Sequence, residues 1–413
     1  MQRVESTADD NAVRALIASL GSAMVGTGQP VHEIEQELGE VARRWGYPDL
    51  QVGAAPTSLT FSLSRGGPST FQRVEGGLSL EKAVDVRRIR HQVAFGVLDI
   101  HQALEELESL RVRQARYPGW LTQPAYVVVA VGIGLILQPG WANLAAVGGC
   151  AVVVAFLLAA SRRFRTLGTL LPTVAAFVVT VIVFALADAG LVEGPLRTVL
   201  PPLAALLPGA LIVTGMSELA AGHMQAGASR LVYGIVELAL FALGLLAATT
   251  VLRVPDEQLV NVRVDALGWV AAPVGLLLIT VGISLMEHVP APTAPWVLVV
   301  LVLAFAAQSA GHLLGSAALG GFFGAVAASL GATAVELFRP RLARLVLFLP
   351  AFWLLVPGSL GLLGVTQLVA ERPDVLAAGV DVVGVVVAIA LGLLVGSAIG
   401  AALRRRVRPA DVA

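Results

Sequence analysis

Long apolar runs separated by short polar segments fill the chain beyond Trp120. A helix needs about 20 apolar residues to cross the hydrocarbon of a bilayer, and most runs are close to that length. Such a chain is unsuited to a soluble globule. The pattern predicts an all-α polytopic membrane protein with about ten transmembrane helices, at residues 122–137, 141–160, 169–188, 198–219, 231–252, 267–286, 296–309, 311–335, 345–369 and 380–403.

The residues before this membrane part show the mixed periodicity of a small soluble domain. Pro30 stands where a second helix would begin, a position that suits proline, and Ser79 stands where a later helix would be capped. The pattern predicts a cytoplasmic α+β domain at residues 1–118. Its expected elements are two helices at 11–45 broken at 27–30, a strand at 50–63, a turn at 65–68, a returning strand at 69–74 and a long amphipathic stretch at 79–113 that forms one or two helices.

Composition and charge support this division of the chain. Hydrophobic residues make up 56% of the chain and charged residues only 14%, whereas a soluble domain carries about 25% charged residues. Of the 56 charged residues, 28 lie in the first 120 positions. The net charge of zero gives no support for nucleic-acid binding.

The single Cys150 cannot form an intrachain disulfide. The opening residues lack the apolar core of a secretory signal peptide.

Arginines between the predicted spans indicate how the chain crosses the membrane, because positive charge is retained in cytoplasmic loops. With the N-terminus inside, four arginines lie in outer segments: Arg197, Arg253, Arg263 and Arg372. Eleven lie in inner segments: Arg162, Arg163, Arg165, Arg230, Arg339, Arg341, Arg344, Arg404, Arg405, Arg406 and Arg408. We therefore expect a multi-pass protein of the inner (cytoplasmic) membrane with both termini in the cytoplasm. The alternative places the soluble domain outside.

An internal repeat links two halves of the membrane part. The segment LLPGALIVTGMSELA, which contains Pro208, matches LVPGSLGLLGVTQLV, which contains Pro357. The string ALGLL begins at both Ala242 and Ala390, so the two offsets are 149 and 148 residues. Each half holds five spans, an odd number that inverts the second copy. We expect two inverted five-helix repeats, at residues 119–253 and 254–413. The alternative is that low-complexity sequence produced the matches.

Both copies carry a Pro-Gly pair near the middle of a predicted span. Proline removes a backbone hydrogen bond, and the half-helix that follows presents amide hydrogens and a partial positive charge to a carboxylate. We expect the two breaks to face each other and bind the solute, with its ammonium on the side of Glu218. The alternative is a kink that serves only packing. The candidate substrate-binding residues are Pro208, Gly209, Thr214, Ser217, Glu218, Pro357, Gly358, Ser359, Thr366 and Gln367.

Glu237, in the fifth predicted span, and Arg230, just before it, are candidates for proton coupling. They are seven residues apart and therefore share a helix face. An ionisable residue inside a membrane span is costly and by default indicates function. We expect Glu237 to bind the coupled proton, or else to be the ion-pair partner of Arg230.

The sequence contains none of the HExxH, GxSxG, phosphate-loop or CxxC motifs of catalysis. Its six histidines show no metal-ligand spacing. His32 with Glu33 and Glu35 is the nearest arrangement for acid–base chemistry, but a solvated helix start explains it better. We predict no enzyme, no catalytic residue, no metal site and no cofactor.

Four segments carry a resemblance to a known family: LIASLGSAMVGTGQPVHEIEQELGEVARRWGY, APTSLTFSLS, VAFGVLDIHQALEELESL and LLPGALIVTGMSELAAGHMQAGASRL. With them the chain resembles the bacterial threonine/serine exporter family over nearly all of its length. Where that family often has a Gly-Ala pair before the second helix, this chain has Gly28-Gln29-Pro30. The resemblance implies export of threonine or serine driven by the proton motive force. Relatives built as two subunits are associated with dicarboxylate export.

Three functions are compatible with these observations. An amino-acid exporter needs a partner for the ammonium, such as Glu218 or Glu237, whereas a dicarboxylate exporter needs a further cation, such as Arg230. The sequence offers both. A membrane-anchored enzyme or sensor acting through the N-terminal domain would need only one or two spans. We expect a secondary active transporter, an antiporter whose partners are a small polar solute, protons and the lipid bilayer, with no nucleic acid and the oligomeric state left open.

Overall fold

The computed structural model describes residues 2–74, 76–259, 262–339, 342, 344–355 and 375–407. Its N-terminal part combines helices with a small sheet, as predicted. In chain order the elements are α1 (Gln2–Gly26), α2 (Val31–Arg44), β1 (Gln51–Ala55), β2 (Ser58–Ser62), β3 (Thr70–Arg73), α3 (Leu80–Ala94) and α4 (Ile100–Val112).

The sheet is antiparallel, with the strand order β1-β2-β3. The predicted strand at 50–63 is in fact two strands, because the chain turns at Pro56 and Thr57. Proline lacks the amide donor that a continuous strand would need at that point. The predicted returning strand is present as β3, with Phe71 opposite Thr60 of β2.

The predicted amphipathic stretch at 79–113 is two helices. α3 ends at Ala94, and Gly96 adopts a φ of +70°. A residue in the left-handed region cannot continue a right-handed helix, so the chain turns here. Asp99 then starts α4 with a capping box, in which its side chain accepts from the Gln102 amide.

The domain has its own hydrophobic core between α1, α2, β2, α3 and α4. Apolar positions three or four residues apart on each helix face this core, and alternate positions of β2 do the same. Its fully buried members include Leu16, Ile17, Leu20, Ile34, Leu38, Leu59 and Ile89. The core supports α2, the helix whose first turn meets the membrane part.

The membrane part is helical. Its described helices are α5 (Thr122–Leu137), α6 (Trp141–Ser161), α7 (Arg165–Asp188), α8 (Pro195–Leu203), α9 (Gly209–Ala220), α10 (Met224–Leu252), α11 (Ala271–Met286), α12 (Ala294–Leu313), α13 (Ala317–Phe338), α14 (Arg344–Leu355) and α15 (Val375–Val407). Eight helical stretches among the described residues are long and apolar enough to cross a membrane, and the bent pair of α8 and α9 makes up to nine. The protein is therefore a multi-pass membrane protein. Beyond Leu355, the predicted span at 345–369 lies outside the described residues.

Two predicted span boundaries differ from the structure. α12 continues to Leu313 and α13 begins only at Ala317, because Gly315 adopts a φ of +122° and the Ser316 side chain accepts from the Leu319 amide. α10 begins at Met224, well before the predicted start at 231.

Glycines allow α5 and α11, the first helices of the two predicted halves, to pack closely. A Cβ at Gly132 would lie 2.9 Å from the Gly275 carbonyl oxygen, and a Cβ at Gly275 would lie 2.7 Å from the Gly132 carbonyl oxygen. Small residues are what permit such approach between membrane helices. The two predicted halves are thus in direct backbone contact along these helices.

Candidate functional site

The predicted break at Pro208-Gly209 is confirmed. A 3-10 turn follows α8 as far as Leu206, and α9 leaves at an angle of 64°. Leu207 is extended, and Pro208 lacks the amide that would continue the helix. Pro208 and Gly209 are both buried, so the first amides of α9 lie inside the protein.

α9 lies where the two predicted halves meet. On one side, Gly215 packs against α10, where a Cβ would come within 2.8 Å of the Gly227 carbonyl oxygen. On the other side, Ile212 and Val213 share an apolar cluster with Ala325, Leu355, Val385, Val386, Ile389, Ala390 and Leu393 of α13, α14 and α15. The second part of the broken span therefore contacts both halves.

The predicted substrate-binding residues are not all close together. Thr214 is half-buried, Ser217 is 7% exposed and Glu218 is 0% exposed. A helix rises about 1.5 Å per residue, so Glu218 lies about 15 Å from Pro208 along α9. One small amino acid is too short to bridge these two positions. The partner residues Pro357, Gly358, Ser359, Thr366 and Gln367 lie outside the described residues.

Glu218 forms a buried ion pair with Arg230. Glu218 Oε2 lies 3.1 Å from Arg230 Nε, and the two side chains are 0% and 9% exposed. Glu218 Oε1 accepts a hydrogen bond from the Val31 amide at 3.0 Å. Val31 is the first residue of α2, so the carboxylate also faces the partial positive charge of a helix N-terminus. The Glu218 carboxylate is therefore buried between a guanidinium group and a helix N-terminus rather than exposed to water.

Glu237 lies further along α10 and is half-buried beside the exposed Tyr233. None of the ion pairs among the described residues includes Glu237, and Arg230 pairs with Glu218 instead. The alternative in which Glu237 is the partner of Arg230 therefore does not hold. Its role in proton coupling stays a prediction.

The first turn of α2 lies at a polar junction with the membrane part. Glu35 Oε2 is 3.6 Å from His223 Nδ1 at the start of α10, and the rings of His32 and His223 are 5.9 Å apart. Glu33 Oε1 is 3.3 Å from a guanidinium nitrogen of Arg344 at the start of α14. We define the polar junction as these residues together with the pair already described: Val31, His32, Glu33, Glu35, Glu218, His223, Arg230 and Arg344.

A second set of charged contacts joins α3 to the membrane part. Arg87 forms an ion pair with Glu336 of α13, and Arg404 of α15 lies 3.4 Å from the same carboxylate. Burial lowers the pKa of Arg87 to about 10, while the nearby Glu37 carboxylate opposes that shift. Two guanidinium groups thus compensate one carboxylate that is only 6% exposed.

Sequence reasoning missed most of the polar junction. It assigned His32, Glu33 and Glu35 to a solvated helix start, whereas the structure places them against the membrane part. The sequence offered one signal for this contact. The acidic residues Glu33 and Glu35 are opposite in charge to the arginines of the predicted cytoplasmic segments. Glu33 and Arg344 are 311 residues apart in sequence, so local pattern could not pair them. Among the described residues, no cluster of His, Cys, Asp and Glu could hold a metal ion.

Glu37, also on α2, gives the domain a testable pH dependence. Burial raises its pKa, and Arg90 at 3.3 Å opposes the shift. A folded-state pKa above the unfolded value of 4.5 means that the folded chain binds more protons between the two values. We therefore expect the domain to gain stability as the pH falls through that window, and Glu37→Gln to abolish the gain.

The measurement is hydrogen exchange of core amides in the full chain, corrected for intrinsic rates, at neutral and mildly acidic pH. Glu40→Gln, on the same helix and with the same partner Arg90, is the matched control. Equal pH slopes for the parent and Glu37→Gln would contradict the prediction.

The chain matches the model of a known protein family. The model ThrE, described as "Putative threonine/serine exporter", matches residues 15–252, more than half of the chain. The chain belongs to the threonine/serine exporter family. The matched region runs from α1 to the end of α10, so it includes every member of the polar junction except Arg344 of α14.

Curated relatives from yeasts are also membrane proteins. Pheromone-regulated membrane protein 10 of Debaryomyces hansenii is 25% identical over 238 residues, which cover 53% of this chain and 22% of the relative. The proteins of the same name from Eremothecium gossypii and Candida albicans are 25% and 24% identical over 230 residues, covering 53% of this chain and 30% and 20% of those relatives. The similarity thus spans less than a third of each relative's length. No solved structure matches the chain.

Proposed function

We propose that this exporter moves a small amino acid, threonine or serine, out of the cytoplasm across the inner membrane and is driven by the proton motive force. The observation that carries the proposal is the family match, because it covers the soluble domain and the broken span together. In this proposal both termini are cytoplasmic, which keeps the arginine-rich segments on the inner side.

The solute site of the proposal is the break at Pro208-Gly209. The first amides of α9 have no partner within the helix and can donate to a carboxylate, which the helix N-terminus also favours. Thr214 adds a hydroxyl less than two turns along α9. We assign Pro357, Gly358 and Ser359 to the facing side of the site. Thr366 and Gln367 are left out of the site, because the repeat matches them to Ser217 and Glu218. Ser217 and Glu218 lie too far along α9 to contact the same solute.

Helix packing supports the two inverted five-helix repeats of the proposal. In α10, a Cβ at Gly244 would overlap the Thr173 carbonyl of α7; in α15, a Cβ at Gly392 would overlap the Phe322 carbonyl of α13. The two glycines are 148 residues apart and the two carbonyls 149, the same offsets as in the sequence repeat. Also, α8 packs against α6 and α7, as α14 packs against α12 and α13. Matched helices therefore make matched contacts in the two halves.

The pairing of Arg230 favours an amino acid over a dicarboxylate. A second carboxylate on the solute would need a cation, and Arg230 was the candidate. Its charge is already compensated by Glu218 inside the protein. The ammonium of an amino acid needs a carboxylate, and Glu218 is occupied in the same way. Glu237 forms no ion pair among the described residues and remains as a candidate partner, so an amino acid fits the described charges better.

The test of the function is solute flux in proteoliposomes that contain the purified full chain. Labelled threonine, serine and succinate are compared under an imposed pH gradient and without one. We expect gradient-dependent flux of threonine and serine. Flux of succinate alone would establish the dicarboxylate alternative, and no flux for any of the three would remove the transporter proposal.

Thr214→Ala is expected to raise the apparent KM for threonine about tenfold, since one hydrogen bond to a charged solute is worth roughly 1.5 kcal/mol. Ser359→Ala should act similarly if the second break faces the first. Thr250→Ala is the matched control, because its hydroxyl bonds only to Leu246 on the exposed face of α10. An unchanged KM in both site variants would leave the breaks as packing kinks.

Glu237→Gln is expected to abolish gradient-driven flux while sparing exchange of labelled for unlabelled solute, because a neutral amide cannot carry the coupled proton. Both modes are measured in the same proteoliposomes. Glu193→Gln, in an exposed outer loop, is the control. If Glu237→Gln accumulates solute as well as the parent does, Glu237 has no part in coupling.

A further inference from the structure

The first turn of α2 touches both halves of the membrane part within five consecutive residues. The Val31 amide and the Glu35 carboxylate contact Glu218 and His223, which belong to the first half. Between them in sequence, Glu33 contacts Arg344 of the second half. One rigid turn of helix therefore bridges the two bodies that alternating access would have to move against each other.

We propose that the soluble domain is a reversible clamp, which holds the two halves together on its own side of the membrane and must release one of them before solute can reach the break from that side. This inference rests on the proposed function, because it gives the clamp its role in export. The occupant of the clamp surface is a segment of the same chain, residues 31–35.

The chemistry of the polar junction suits a contact that opens. Three buried nitrogen atoms there have no hydrogen-bond partner among the described residues: His32 Nδ1, Arg230 Nη2 and Arg344 Nε. Glu218 Oε2 and Arg230 Nε are 3.1 Å apart, but they form an ion pair without a hydrogen bond. Buried charges lose their hydration, and ion pairing only partly compensates that loss. When the junction opens, water can solvate each of these groups, which offsets the loss of the contacts. An apolar interface would gain no comparable hydration energy when it opened.

The opposite end of the first half is joined differently. Gln138, at the end of α5, is 0% exposed and donates to the carbonyls of Glu193, Gly194 and Val262 while it accepts from the Val264 amide. These neutral hydrogen bonds satisfy both ends of the side-chain amide. The charged and under-satisfied contacts of the described chain are thus concentrated on the side that carries the soluble domain.

α9 connects the clamp to the break. It is a single helix of 12 residues, with Glu218 near its end and the Pro208-Gly209 break at its start, about 15 Å away. A helix moves as a rigid body, so displacement of Glu218 is transmitted to the break. Release of Val31 from Glu218 would thereby free the half-helix that forms the proposed solute site.

The exchange rate of the Val31 amide measures release directly. As the first residue of α2, Val31 has no acceptor within the helix, so Glu218 alone protects its amide. In the full chain, we expect Glu33→Gln combined with Glu35→Gln to speed exchange in peptides that contain Val31 by about tenfold. Arg344→Gln removes the same Glu33 contact from outside the domain and should act in the same direction.

Glu40→Gln is the matched control, because Glu40 lies on the same helix and pairs with Arg90 inside the domain. Protection of the domain core around Leu20 should not change in any variant, which distinguishes release from unfolding. Unchanged exchange at Val31 in both the double variant and Arg344→Gln would overturn the clamp.

Locking the clamp tests its role in export. Cys150 is first replaced by alanine, and His32→Cys with His223→Cys is bridged by a short, reducible thiol cross-linker. We expect the bridged protein to lose at least about tenfold in flux and to regain it on reduction. A control bridge at Arg14 and Thr70, which touch inside the domain, should leave flux unchanged.

Full flux in the locked protein would overturn the gating role of the clamp. Absence of flux from the reduced, unbridged protein would instead refute the proposed transport. In that case the exchange rate at Val31 still decides whether the clamp exists, because that measurement does not depend on transport.

Discussion

Replacing Glu218 by alanine should lower the free energy of unfolding by about 3 to 5 kcal/mol and abolish transport, because it leaves a buried charge without its partner. Arg230, whose side chain is 9% exposed, would keep its guanidinium inside the protein with no carboxylate beside it. The Val31 amide would also lose its acceptor. Denaturation of the purified full chain in detergent, followed by circular dichroism, measures the loss.

A double-mutant cycle separates the ion pair from the rest of the site. Glu218→Leu combined with Arg230→Met removes both charges and should recover much of the stability, since an apolar pair of similar volume is often as stable as a buried ion pair. Glu193→Ala, at an exposed glutamate, should change stability by no more than about 0.5 kcal/mol. If the costs at Glu218 and Arg230 simply add, the two residues are not coupled and the prediction is wrong.

Gln138→Leu should have the next largest effect, lowering the free energy of unfolding by about 3 kcal/mol, because it leaves several backbone groups without a partner. The Glu193 carbonyl and the Val264 amide each lie 3.1 Å from the Gln138 side chain, which joins two loops far apart in sequence. Leucine matches the size of glutamine but offers no hydrogen bond. The cost therefore comes from the lost polar contacts and not from a cavity.

The same denaturation experiment measures this cost. Gln123→Leu, near the other end of α5, is the matched control, because that side chain is only partly buried and makes none of these contacts. We expect the control to change stability by less than about 0.5 kcal/mol. Equal effects at Gln138 and Gln123 would contradict the structural role of Gln138.

Features that depend on a short stretch of chain could be predicted from the sequence. A membrane span is a local property, since one run of apolar residues satisfies its own backbone hydrogen bonds in lipid. The break at Pro208 is local too, because proline acts on the turn that contains it. The error in the sheet was local as well, because Pro56 divided a predicted strand. Gly96 divided the amphipathic stretch at 79–113 into two helices, one of the two arrangements that the pattern allowed.

Partners of the charged residues could not be predicted in the same way. Arg230 was weighed against Glu237 because they share a helix face, yet its partner is Glu218, across the turn between α9 and α10. Glu33 finds Arg344 at a separation of 311 residues. The arrangement of the helices decides which of several possible charged residues form a pair. Many arrangements are compatible with the same local sequence pattern.

By itself the sequence thus determined that the chain is a helical membrane protein with a small α+β domain and a broken span, because apolar length and proline geometry act within a few turns. Only the tertiary structure decided that the start of α2 covers Glu218 and joins the two halves. That contact depends on how one domain docks against two sets of helices. Burial at the contact removes water from the charged groups, so the stability of the contact depends on which ionic partner each group meets.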